Sequence, residues 1–145
     1  MIASAPAVTQ SIRIRAPLDA VWDALVDPQK IAQWLNGAHV ETTWKPGSPI
    51  TFSGSLEGMT YRDKGVVVKL EPQALMQYTH WSKWSRLPDT PEHYSVITIT
   101  VTPAQGGTLL AVRHENLATE EMYKHSKSHW ETRLPELKKL LEAAP

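Results

Sequence analysis

At 145 residues the chain suits a single domain, residues 1–145, with a substantial core. Its 15 basic and 15 acidic residues cancel, so no net charge favours nucleic acid or an acidic membrane surface. It has no cysteine, which excludes disulfides, thiol catalysis and thiolate metal sites.

The first eight residues, Met1 to Val8, carry no basic residue and no long apolar run, so no secretory signal is expected. No stretch approaches the roughly 18 apolar residues of a membrane span, so no membrane insertion is expected. The expected location is cytoplasmic. Aromatic usage is skewed: six Trp and four Tyr stand against one Phe. Trp and Tyr combine apolar bulk with a polar handle.

Val8, Gln10, Ile12 and Ile14 alternate with polar neighbours and predict a first strand. Asp19 to Val26 reads as a short helix burying Val21, Trp22 and Leu25. Asp27 is placed to cap a second helix with Pro28 at its first position. That helix buries Ile31, Trp34 and Leu35 and stops at Asn36-Gly37.

Strands follow at His39 to Lys45, Ile50 to Leu56, Thr60 to Leu70 and Leu75 to Ser82. After a loop marked by Pro88 and Pro91, Tyr94 to Thr102 and Thr108 to His114 form the last pair across Gly106-Gly107. Thr119 then caps a long helix running to about Glu142, roughly 36 Å at 1.5 Å per residue. Met122, Ser126, Trp130, Leu134, Leu137 and Leu141 recur on one stripe of it. Pro135 is expected to kink or divide it near Glu131.

Short links imply antiparallel neighbours, and strands grouped apart from helices predict an α+β fold. A twisted sheet of this kind curls around a helix laid across it. Alternation assigns Phe52, Val66, Val68, Met76, Tyr78, His80, Ser95, Ile97, Ile99, Leu110, Val112 and His114 to the inner face. Polar groups among these, facing a stripe that sets Ser126 beside Trp130, suggest a polar-spotted cavity.

The segment Ala16-Pro17-Leu18-Asp19-Ala20-Val21-Trp22-Asp23-Ala24-Leu25, continued by Asp27-Pro28 and Ile31-Ala32-Gln33-Trp34, resembles the opening of a START-like, helix-grip domain. Within that superfamily the chain resembles the branch named for the activator of the ninety-kilodalton heat-shock-protein ATPase. Asp63-Lys64-Gly65, Tyr78-Thr79-His80-Trp81-Ser82, Pro88-Asp89-Thr90-Pro91-Glu92, Gly107-Thr108 and His125-Ser126 through Trp130 carry the resemblance in order along the chain. It implies a curved antiparallel sheet gripping the C-terminal helix, two short helices after the first strand, and a pocket between sheet and helix. Relatives with that fold include lipid carriers, polyketide cyclases and a co-chaperone domain, so fold alone does not assign the role.

His125 and His129 share a helix face at the spacing of paired zinc ligands. The Glu of an HExxH motif is missing, because residue 126 is Ser, and no metal site is expected. His80 and His114 are either acid–base or ligand-binding groups or core histidines satisfied by Tyr78 or Ser95. No carboxylate is evidently paired with either, which favours the core reading. No G-x-S-x-G elbow and no Gly-rich phosphate loop is present. Trp81-Ser82-Lys83-Trp84-Ser85-Arg86 reads either as a lid or as a loop anchored by Trp81.

The expected function is non-enzymatic binding of a small apolar or aromatic molecule, with no catalytic residue, no cofactor, no nucleic acid, and a monomer or homodimer. Trp34, Phe52, Val68, Ile97, Met122 and Trp130 would supply apolar contact. Tyr78, His80, Ser95, His114 and Ser126 would orient polar groups. The alternatives are a cyclase or hydratase using His80 or His114, and a co-chaperone-like interaction module.

Overall fold

The computed structural model describes residues 6–143. Residues 1–5, part of the stretch in which no secretory leader is expected, lie outside that range, as do residues 144 and 145. The elements are β1 (Val8–Ile14), α1 (Leu18–Val26), α2 (Pro28–Trp34), β2 (His39–Glu41), β3 (Pro49–Leu56), β4 (Met59–Glu71), β5 (Leu75–His80), β6 (Ser95–Ala104), β7 (Gly107–Glu115) and α3 (Glu120–Glu142). The strands form one curved sheet in the order β1-β7-β6-β5-β4-β3-β2, every neighbouring pair antiparallel. This is the α+β helix-grip architecture expected from the sequence.

Local chemistry sets the joints. The Asp27 carboxylate accepts from Gln29 N at 3.0 Å, capping α2 ahead of Pro28. Asn36 and Gly37 leave the helix with positive φ. Glu57 and Gly58 both have positive φ and join β3 to β4 in a two-residue turn. The Thr119 hydroxyl caps α3 by accepting from Met122 N at 3.1 Å.

The inner sheet face and α3 close one core. Trp130, Leu134 and Leu137 of α3 join Ile14, Leu110, Val112 and Ile99 of the strands. The far end of α3 is fastened to β1. Glu142 Oε2 accepts from Arg15 N at 2.7 Å and from Lys138 Nζ at 2.6 Å, while Lys138 Nζ donates to the Arg13 carbonyl at 2.8 Å. The Arg15 amide and then Lys138 hold the Glu142 carboxyl down at about 2.

Three expectations are corrected. The division expected at Pro135 does not occur: α3 is one helix through it to Glu142. Pro135 and Glu131 are exposed, so the freed carbonyl faces water while the buried stripe holds both halves. β2 ends at Glu41 rather than Lys45, because Trp44 takes a positive φ and turns the chain away.

The third concerns β4. Val66 and Val68 are each 41% exposed and point outward, whereas Val67 is 1% exposed. Val67 pairs with Tyr78 but Lys69 pairs with Gln77, so Val68 is the extra residue of a β-bulge. Counting inward positions back from Leu70 crosses that bulge and lands on the wrong face. The inner set of β4 is therefore Asp63, Gly65, Val67 and, past the bulge, Leu70.

Candidate functional site

β3 and β4 pair from their two-residue turn, which sets Phe52 opposite Asp63 on the inner face. β5 brings Tyr78 and His80 to the same side. The Phe52 ring packs against both, with centroids 5.6 Å from Tyr78 and 5.8 Å from His80. Nothing intervenes on β4 because residue 65 is glycine. A Cβ there would lie 1.7 Å from the Thr79 carbonyl oxygen.

Asp63 Oδ2 and His80 Nε2 are 3.0 Å apart. Their side chains are 17% and 28% exposed, so the pair is mostly but not wholly enclosed. Asp63 Oδ1 is buried with no hydrogen-bond partner. The sequence reading left His80 without a carboxylate; the structure supplies Asp63. The signal was present in the hairpin, since a turn at Glu57-Gly58 pairs Phe52 with residue 63.

The second histidine is differently placed. Trp130 Nε1–H donates to His114 Nδ1 at 3.2 Å. His114 Nε2–H then donates to Ser95 Oγ at 2.8 Å, and Ser95 Oγ–H to the His80 carbonyl at 3.2 Å. The chain of bonds fixes the His114 tautomer and uses both ring nitrogens. Burial first, then the neighbouring His80, His129 and His125, pushes His114 down to about 3. It stands neutral at physiological pH.

This network explains the composition of the helix stripe. Trp130, only 2% exposed, fills the space between α3 and the sheet and carries its own hydrogen bond. Ser126 is buried one turn before it, and Met122 is half-buried at the edge of the core. His129 is half-buried beside Trp130, and burial lowers it to about 4. The sequence reading set His125 and His129 on a solvated flank beside the stripe; His125 is exposed there, but His129 is half-buried.

A small, partly open void lies on the other side, under α2. It holds about 20 Å³, room for about one water. Leu25, Ile31, Trp34, Leu35, Val40, Trp44, Ile50, Phe52, Met76, Tyr78 and Ile99 line it. Trp34 and Trp44 have already committed their indole N–H groups, to the carbonyls of Ala24 at 2.9 Å and Val26 at 3.1 Å. Tyr78 is the wall's free polar group: its hydroxyl bonds to no other described residue. Burial pushes its pKa well above the ordinary phenol value, so it is a neutral donor. The structure thus brings Trp34, Phe52 and Tyr78 to one void, and Ile97 and His114 beside Tyr78 through β6 and β7. His80, Ser95, Ile97, His114, Met122, Ser126 and Trp130 do not line it, and Val68 lies on the outer face.

A larger open depression of about 390 Å³ lies on the opposite sheet face, along Thr9, Ser11, Thr98, Thr100 and Arg113. It is a shallow feature of the twisted outer surface and touches none of the inward polar groups. Among the described residues no group of three or more His, Cys, Asp or Glu side chains could hold a metal ion. No described helix is long and apolar enough to cross a membrane.

The loop after His80 is pinned. Trp81 stacks on Tyr94 at 6.3 Å and donates from Nε1 to the Leu87 carbonyl at 3.3 Å. Lys64 lies 5.6 Å over the Trp81 ring and pairs with Asp89, which also accepts from the Tyr94 hydroxyl. Trp81 is an anchor, while Lys83, Trp84 and Arg86 are exposed.

Comparison with known proteins fits this geometry. A protein of Cytophaga hutchinsonii with a solution structure is 37% identical, over 98% of this chain and 97% of its own, with a TM-score of 0.82. The Aha1 dimer of Colwellia psychrerythraea is 20% identical over 95% of this chain and 97% of its own, with a TM-score of 0.74. CalU16 of Micromonospora echinospora is 22% identical over 93% of this chain and 75% of its own, with a TM-score of 0.71. Those last two likenesses speak to the fold alone. A search of curated proteins found no match. The family model described as activator of Hsp90 ATPase homolog 1-like protein matches residues 15–142, nearly the whole chain. The chain belongs to that family of START-like proteins.

Proposed function

We propose that the protein binds a small hydrophobic or aromatic molecule in the interior between the curved sheet and the helices, reached from the α2 side. The observation that carries this is the apolar hollow under α2, walled by Trp34, Phe52 and Tyr78, at which the Tyr78 hydroxyl makes no hydrogen bond to a described residue. A ligand acceptor atom would accept from that hydroxyl, and Trp34 and Phe52 would supply apolar contact.

A void of about 20 Å³ is too small for such a molecule as it stands, so uptake requires the wall to move. The wall that can yield is α2 with its flank. α2 is seven residues long, and Leu35 and Trp44 beside it are only partly buried. The α3 side is closed by Trp130 and its bond to His114, which argues against the pocket lying there.

Native mass spectrometry of the protein purified from its own cells tests the proposal. A retained small molecule supports it. The same spectrum reads whether the assembly has one copy or two. The Colwellia relative is a dimer, and this chain is proposed to be a cytoplasmic monomer or homodimer.

A further inference from the structure

The sequence and the proposed binding role leave one inward group unexplained. Three histidines lie near one another in the interior: His80, His114 and His129. His114 has spent both ring nitrogens on Ser95 and Trp130. His129 sits against Trp130 with no carboxylate bonded to it among the described residues. His80 alone has a carboxylate on one nitrogen and nothing described on the other.

We infer that Asp63 and His80 form a general-base site, acting on a small aryl or apolar carbonyl compound with an acidic C–H beside the carbonyl. The inference rests on the reading that a small apolar molecule enters this interior. Asp63 Oδ2 accepts from His80 Nε2–H at 3.0 Å, which leaves the lone pair on Nδ1. A carboxylate in that position fixes the tautomer and the ring orientation. Tyr78 is two residues earlier on the same strand face, and Phe52 packs against both rings. The neutral Tyr78 O–H is a donor for an oxygen on which charge develops.

The step needs no other reactant. His80 Nδ1 takes the proton from the carbon beside the carbonyl. The C–H electron pair becomes the C=C bond, and the carbonyl π pair moves to oxygen, which accepts from Tyr78. The imidazolium, held by Asp63, returns the proton to that oxygen and releases the enol. The orphaned Asp63 Oδ1 fits this reading better than a purely structural one. A carboxylate kept only to hold a strand pair would be expected to use both oxygens. Both side chains are partly exposed, and Phe52, which lines the void, packs against the His80 ring.

The test follows keto–enol relaxation of 1-phenylbutane-1,3-dione by its enol absorbance, with tryptophan quenching by the same compound to measure binding. The full-length protein should accelerate relaxation. His80→Gln should lose about a hundredfold or more of the acceleration, and Asp63→Asn about tenfold to a hundredfold. Both should still quench. His39→Gln, on the exposed edge strand β2, should match the parent and so exclude catalysis by that surface imidazole. A thermal transition for each variant separates loss of fold from loss of base. Diketone that binds without acceleration overturns the general-base site and leaves the binding role intact. Diketone that neither binds nor reacts overturns the site for this substrate class, and native mass spectrometry then judges the binding role alone. Acceleration retained in folded His80→Gln, or undiminished in Asp63→Asn, also overturns it.

Discussion

Asp63 and His80 meet at 3.0 Å across β4 and β5, a contact that exists because β4 changes face at Val68. The bulge turns Asp63 and Gly65 inward, and glycine at 65 lets Phe52 lie against the β5 side chains. Phe52 links the pair to the void under α2: its ring packs against His80 and Tyr78, and it lines the void with Tyr78.

Asp63→Asn should leave stability within about 1 kcal/mol of the parent. The carboxylate already has one oxygen without a donor, so its removal forfeits little net hydrogen bonding. Urea unfolding measures this. A loss of several kcal/mol would mark the pair as a structural brace.

Gly65→Ala should destabilise by about 1–3 kcal/mol or more, because a new methyl meets the Thr79 backbone rather than a side chain that can swing away. Thermal unfolding reads the loss. Val66→Thr and Val68→Thr, on the outer face, should change stability by no more than about 0.5 kcal/mol.

Trp130→Phe should cost about 1–3 kcal/mol, since it leaves buried His114 Nδ1 without its donor. Leu137→Ala, fully buried in the second half of α3, should cost about 2–5 kcal/mol. Both are losses of fold. Neither residue lines the void, so neither change should alter the identity of a retained ligand.

Acid should destabilise the protein in a defined window. His114 binds its proton near pH 3 when folded and near 6.5 when unfolded. Between those values the unfolded chain holds more protons, so stability rises with pH and is lost as pH falls from 6.5 towards 3. His129, at about 4, adds to the upper part of the same window. Each site contributes a slope of up to about 1.4 kcal/mol per pH unit. Glu142 works in the same direction lower down: its stabilisation is complete above 4.5 and disappears as pH falls towards 2. Replacing His114 with Gln should flatten the curve between pH 6.5 and 4; a curve unchanged in slope would contradict its buried neutral state.

The fold was legible because periodicity and turn chemistry agree along most of the chain. Asp27-Pro28, Asn36-Gly37 and Thr119 announce helix ends, and Glu57-Gly58 announces a hairpin. The inward assignments on β3, β5, β6 and β7 needed only alternation. On β4 three consecutive valines satisfy either face, and a bulge has no signature in a valine run. Asp63 was hidden for that reason, although hairpin pairing from Glu57-Gly58 reaches it from the other end. Stripe spacing could not distinguish a Trp that lines a pocket from one that fills the core. Only the partner of its indole N–H settles that, and the partner, His114, is 16 residues away on another element.

Tyr78→Phe puts the binding proposal to its sharpest test. The substitution removes the one unpartnered hydroxyl of the void and nothing else, so unfolding stability should hold or rise slightly. Native mass spectrometry of parent and variant, each purified from the protein's own cells, should show a small molecule on the parent and at least several-fold lower occupancy on the variant. A bare parent chain, or equal occupancy in both, would contradict ligand binding through Tyr78.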